Sequence, residues 1–375
     1  MTPDTLRSTR KVRRTSGRGR AARLARVGHP ALENGTPFAV EPLFLADEEG
    51  RPLLVPLVKA TYAIGARGLA LADEQVPVSA EGVPYGDPAE ASYRYEPECA
   101  FAKPATDVVL VGSAVAPRPG TAEMLVAFQV GPVKKGVRVV GDRAFFKAAG
   151  SVGMSRPVPF ERIPLMWERA FGGWDRSHPD PKKHDLDPRN PVGTGFRASG
   201  SRFEEGLRCP NVEDPARPFK GWGDRPPPAG FGFVSPSWEP RTRYAGTYDA
   251  RWEKERAPLL PKDFDRRFLN AAAPGLVAPG YLRGDEAVVV SGVSASGGIA
   301  FGLPGVAPPT IRVEHRGRED VKAQTGLDTV IVDTDAGRVF LYWRTQVVVR
   351  EPTAVRTLEV IAGAGTPPRV AVAAA

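Results

Sequence analysis

Proline and glycine interrupt this chain so often that no long regular element has room to form. There are 39 prolines and 40 glycines in 375 residues, which puts proline at about twice its usual ~5 % share. Proline lacks a backbone donor and breaks helix interiors and central strands, while glycine admits turns. The apolar runs that remain are four to six residues long, as in "TDVVLVGSAVAP" (106–117) and "AEMLVAFQVG" (122–131). These are too short for helices and read as half- or fully buried antiparallel strands. The expected fold is mainly β: antiparallel, sandwich-like sheets with few short helices.

The strands fall into two groups. Residues 36–150 form a first β module, opened by "FAVEPLFLAD" and "RPLLVPLVKATYAI" around a "DEEG" turn; Pro52 and Pro56 suggest an edge strand or a bulge there. Residues 280–362 form a second, with "EAVVVSGV", "TIRVEHRG" and a hairpin, "DTVIVDTDAGRVFLYWRTQVVV", turning at Asp333–Gly337. Between them, residues 156–275 hold 18 prolines and five of the six tryptophans: Trp167, Trp174, Trp222, Trp238 and Trp252. Disordered segments are poor in aromatics, so this centre is expected to be ordered but irregular. Only "RIPLMWERAF" and "PKDFDRRFLNAA" look able to make helical turns. No linker separates the parts, and 36–362 reads as one integrated domain.

The net charge of +8 suggests nucleic acid until it is located. Residues 1–28 carry nine Lys/Arg against Asp4 alone, which accounts for all of it and leaves 42 bases and 42 acids in the body. Residues 1–35 are expected to be a disordered, Arg-rich tail and 363–375 a flexible one. No apolar stretch follows Arg13–Arg14, so export is not expected. Nor is a membrane span, since nothing approaches ~18 consecutive apolar residues. Cys99 and Cys209 are the only cysteines, too few for a zinc cluster or a disulfide framework. A cytoplasmic protein without a specific nucleic-acid partner is the expectation.

Reactive chemistry is thinly supported. The stretch "ERAFGGWDRSHPDPKKHDLDPRNPVGTGF" (168–196) gathers His178, His184 and several aspartates, the residue types a divalent metal takes. Their spacing matches no metalloprotease signature, and Lys182 and Lys183 oppose a cation. No metal or other cofactor is expected. A metal-dependent hydrolase on His178 and His184 is the rival reading. There is no G-x-S-x-G elbow and no Walker A sequence. "GTGFRA" (193–198) lacks the preceding strand a dinucleotide fingerprint needs. Cys209 reads as a small packed residue rather than a nucleophile. What recurs instead is a loop type: glycine, proline, an aromatic and a charged or amide side chain together, suited to a rigid recognition surface.

Ten such blocks in order, among them "LVPLVKATYAI", "PFERIPLMWERAFGG", "RNPVGTGF", "PAGFGFVSPSWEPR", "AGTYDARW" and "PLLPKDFDRRFLNAAAP", resemble the bacterial family known as domain of unknown function 2169 over roughly residues 40–305. The resemblance implies a non-enzymatic adaptor or chaperone of type VI secretion that holds a toxic effector and helps load it on the VgrG-type spike. A structural component of the secretion machine is the alternative. The family motifs map onto Arg169, Phe171, Gly172 and Gly173; Asn190, Pro191 and Gly193; Trp238 and Arg241; Gly246, Thr247, Tyr248 and Asp249; and Asp263, Phe264 and Asp265. Each is expected to contact a partner or brace the scaffold, with Trp174, Trp222 and Trp238 as candidate anchors, because interface hot spots favour Trp, Tyr and Arg.

Overall fold

A computed structural model describes residues 30–367 of the chain. The largest sheet runs in the order Ala39–Ala46, Pro52–Gly65, Arg338–Arg344, Gly326–Asp333 and Asp107–Val111. Two short strands, Gly68–Leu71 and Val347–Val348, also pair with Pro52–Gly65. A second sheet runs Val212–Glu213, Val133–Val140, Glu123–Val130, Ala287–Ser291 and Gly298–Gly302, and a third runs Ala31–Asn34, Val355–Ile361, Thr310–His315 and Val321–Gln324. The protein is mainly β, as expected. The Asp333–Gly337 turn does join its two strands, with Gly337 at φ 64° and Asp333 accepting from the Ala336 N–H at 2.7 Å.

Strand alternation gives the largest sheet two unlike faces. On one, Leu54, Val58, Val108, Leu110, Val330, Val332, Leu341 and Trp343 are buried. They share a single apolar cluster with Val126, Phe128, Val137, Val288 and Val290 of the second sheet, and with Trp167, Phe231 and Trp238 from the irregular centre.

The other face carries a polar row across four strands. Lys59 lies opposite Tyr342, Tyr342 opposite Thr329, and Thr329 opposite Asp107. All four are buried. Segment 93–103 lies over this row and answers it group by group. Glu98 accepts from the Lys59 amine and from the Tyr342 hydroxyl, each at 2.7 Å. Lys103 donates to Asp107 at 2.8 Å, to Glu96 at 2.5 Å and to Thr329 at 3.2 Å. Asp107 also accepts from the backbone of Ala271 at 2.9 Å and from the Asn270 amide at 3.0 Å. Burial pushes the Lys59 amine below its usual value against the pull of Glu98. For Lys103 burial works the same way, but Asp107 and Glu96 outweigh it and the amine is held above its usual value.

Four sequence expectations need correction. Ala31–Asn34 was read as tail, yet it is a strand paired in parallel with Val355–Ile361; the rest of the expected tail, 1–29, lies outside the described residues, as does 368–375. Pro52–Gly65 is a central strand, not an edge. Its Pro56 faces Pro42, and on the other side the ladder jumps from Leu57–Arg344 to Leu54–Val347, so the missing proline donor falls where pairing lapses. Asp107–Val111 pairs in parallel with Thr329–Asp333, because a long excursion separates them in sequence and an antiparallel return is not required. Lastly, "RIPLMWERAF" and "PKDFDRRFLNAA" do hold short helical turns, at Trp167–Arg169 and Arg266–Leu269, but the α-helix, Ala250–Glu255, lies in a stretch read as loop.

Replacing Asp107 by Ala would remove one of the two carboxylates paired with the Lys103 ammonium and leave the Ala271 N–H without its acceptor in the interior. Removing one partner of a buried ion pair costs about 3–5 kcal/mol. D107A is expected to lower unfolding free energy by that much in denaturant titration; a loss under about 1 kcal/mol would show that the row is not structurally required.

Candidate functional site

Residues 168–196 fold into a framework with an excursion at its tip. Phe171–Gly172 pairs in parallel with Thr194–Gly195, and Trp174–Asp175 pairs with Asp185–Leu186 to close the neck of residues 176–184. Asn190 ties the halves together. Its side-chain amide donates to the carbonyls of Trp167 and Phe171 at 2.8 and 3.0 Å, while its backbone carbonyl accepts from the Gly173 N–H at 2.8 Å. Gly172 (φ 143°) and Gly173 (φ 99°) occupy backbone conformations that side chains resist. A Cβ at Gly172 would sit 2.2 Å from the Asn190 carbonyl oxygen, and one at Gly193 2.4 Å from the Asn190 amide. Arg169 bonds Asn211 at 3.1 Å and Asp142 at 3.2 Å. Burial disfavours the charged form of Asp175, but donors from Ser201, Ser177 and Ala198 outweigh it and hold the carboxyl down to about 2.

The excursion carries the two histidines. The His184 ring meets the His178 carbonyl at 3.0 Å, and the His178 ring accepts from the Asp180 N–H. Asp180 caps a short helical turn, and Asp187 is clamped to Arg189 by bonds of 2.8 and 2.5 Å. Among the described residues no group of three or more His, Cys, Asp or Glu is placed to hold a metal ion. Cys209 packs with Phe145, Phe171, Phe196 and Phe219, and burial pushes its thiol up to about 11, far from a reactive thiolate.

The candidate anchors separate by environment. Trp238 is buried, its ring edge-on to Trp167 at 6.2 Å. Trp222 is half-buried against Phe145 and Phe203 at 5.2 and 5.6 Å. Trp174 is 43 % exposed, with the Arg176 guanidinium over its ring at 5.2 Å. It lines a cleft of about 670 Å³ together with Glu90, Tyr93, Arg176, Pro191 and Trp238.

The remaining motif residues build a second, smaller feature. Thr247 donates through its N–H and hydroxyl to Asp263 at 3.0 and 2.7 Å, and those bonds hold the Asp263 carboxyl below its usual value. Gly246, at φ 82°, lies where a Cβ would meet Pro261 at 2.7 Å. Asp249 caps the helix Ala250–Glu255 through the Trp252 N–H, and Tyr248, 53 % exposed, packs edge-on against Trp252 at 4.7 Å. Asp265 caps Arg266–Leu269, and Phe264 packs against Phe268 at 5.7 Å. Arg241 is buried, donating to the carbonyls of Val234 and Phe268 at 2.7 and 3.0 Å. Most motif residues thus brace loops; Trp174, Pro191, Gly193 and Trp238 meet at the larger cleft, while Thr247, Asp249 and Asp263 line a smaller one of about 340 Å³. Sequence reasoning missed Glu90 and Tyr93, which come from a stretch with no motif of its own.

The fold and the cleft define a β-rich protein whose loops are fixed by glycine contacts and side-chain caps. Residues 49–344 match the sequence model described as "Uncharacterized protein conserved in bacteria (DUF2169)", and the chain belongs to that family. The match extends past the resemblance read from the blocks, through the Asp333–Gly337 hairpin. No curated protein matches the chain, and no solved structure does.

Two substitutions separate bracing from contact. Asn190→Ala removes the two side-chain bonds to the Trp167 and Phe171 carbonyls at a buried position and is expected to cost about 1–3 kcal/mol. Trp174→Ala is expected to change stability by no more than about 0.5 kcal/mol. Denaturant midpoints of the two variants check both; the reverse order would place Trp174 in the scaffold.

Proposed function

We propose that this protein is a non-enzymatic adaptor that docks a type VI secretion effector on its loop surface and helps bring it to the VgrG-type spike. The family resemblance implies the role, and the exposed Trp174 in its cleft is the observation that carries the docking part. A Trp flanked by Arg176 and Tyr93 has the composition of an interface hot spot. The surrounding framework is held by backbone contacts at Gly172, Gly173 and Gly193, so docking needs little ordering of loops and loses little conformational entropy. A stable complex needs roughly 800 Å² from each partner, so contact extends beyond the cleft onto neighbouring loops. The cytoplasm is the compartment in which such loading takes place.

Co-purification with the polypeptides encoded beside its gene tests the reading. A toxin or spike protein is expected to be retained by the full chain, and Trp174→Ala is expected to weaken that complex at least about tenfold, the effect of ~1.4 kcal/mol. Retention of neither protein, or an unchanged affinity in W174A, would overturn the proposal.

A further inference from the structure

Two lysines of the sheets and their covering segment are buried beside carboxylates, and among the described residues a third is half-buried with none at ion-pair distance. Lys59 is 2.7 Å from Glu98, and Lys103 is 2.5 and 2.8 Å from Glu96 and Asp107. The third is Lys135. In Val133–Val140 it shares the face of Val133, Val137 and Val139, all buried, and it lies opposite the fully buried Phe128. Its amine donates to the Pro274 carbonyl at 2.8 Å, and among the described residues no carboxylate lies within 4.0 Å of it. Burial pushes this amine down to about 8, with Asp214 pulling only weakly the other way. A half-buried ammonium whose hydrogen-bond partner is a neutral carbonyl carries a desolvation cost that a paired anion would offset.

The amine lines a cavity of about 600 Å³, within the range of ligand sites. Part of the lining is apolar: Trp167, Val234 and the prolines Pro227, Pro228 and Pro240. The indole is fixed in place, because its N–H donates to the Phe233 carbonyl at 2.8 Å. Part is charged. Arg189 is spent on Asp187, whereas among the described residues Arg243 hydrogen-bonds through its Nε alone, to the Pro240 carbonyl at 2.9 Å, with its guanidinium over the Tyr244 ring at 5.3 Å. Asp214 and Glu239 also line the cavity, and they oppose added negative charge, about twice as strongly for a dianion as for a monoanion.

We propose that this cavity binds an apolar or aromatic group bearing a single carboxylate, the carboxylate held by Lys135 and Arg243 and the body laid against Trp167 and the prolines. A charge-assisted bond from an ammonium and a guanidinium supplies the pairing that Lys135 lacks. The same chemistry is offered by a free aryl or alkyl acid and by the C-terminal residue of a polypeptide. The inference stands apart from the docking reading, since its test uses the purified full chain with no protein partner.

Isothermal titration with 3-phenylpropionate, acetyl-Gly-Gly-Phe and the C-terminal amide of that peptide separates the cases. At least one of the two acids is expected to bind, with the amide at least tenfold weaker than the peptide acid if the peptide is the ligand. Tighter binding of the peptide acid assigns a chain terminus, and tighter binding of phenylpropionate assigns a small acid. Lys135→Met is expected to lose at least tenfold in affinity for the acid that binds and to keep the melting curve. Should K135M not fold, Arg243→Gln, altered at an exposed position, is expected to weaken acid binding severalfold. No binding of either acid at millimolar concentration, equal binding of the peptide acid and its amide where the peptide acid is the one that binds, or unchanged acid affinity in the folded variant overturns the proposal.

Discussion

The polar row Lys59–Tyr342–Thr329–Asp107 is the constraint on which the arrangement of the chain depends. Its members come from strands near residues 59, 107, 329 and 342, so the first and last β regions must share a sheet for the row to exist. Buried ions do not tolerate approximate partners: an unmatched charge costs several kcal/mol, and a matched one roughly breaks even. The row therefore does more to select one arrangement than to add net stability. It also commits segment 93–103, which supplies Glu96, Glu98 and Lys103, to lie across that face. A segment with little regular structure thereby becomes part of the core.

With both β regions joined, the irregular centre has fixed walls to pack on. Trp167, Phe231 and Trp238 enter the common apolar cluster, and the loops between them are held by caps and glycine contacts instead of ladders. Asn190 donates to loop carbonyls, and Asp249, Asp263 and Asp265 accept from backbone or side-chain donors in these loops, which is how coil persists in a compact protein without ladder partners. Stiff loops can present side chains outward at small entropic cost. Trp174 over its cleft is one such presentation, whereas Lys135 reaches its cavity from a strand, and the segment 234–240 contributes to the walls of both cavities.

Much of this was readable residue by residue. The Asp333–Gly337 turn announced its hairpin because Asp-x-Asp-x-Gly chemistry is local. The aromatic content of 156–275 announced order, and Gly172, Gly173 and Gly193 stood out as part of the motif blocks. The helix Ala250–Glu255 also had a local signal, Asp249 as N-cap before "ARWEKE", but six residues ahead of Pro258 resemble a loop. Trp174 and Trp238 were indistinguishable, since burial is decided by what packs against a ring and not by the ring. Pro56 reads as an edge or bulge signal because its tolerance in a central strand depends on a lapse in pairing with residues 344–347, far away in sequence.

The sequence by itself determined the class of structure: short apolar runs punctuated by proline and glycine permit strands and shaped loops and little else, since those limits are set by each residue's own backbone. Only the tertiary structure decided which lysines are matched and which is not, which tryptophan meets solvent, and that Asp107 lies beside Thr329. The last rests on register between strands more than 200 residues apart, and neither charge nor ring identity encodes a distant partner. Coulombic and packing energies become specific only once the neighbour is in place.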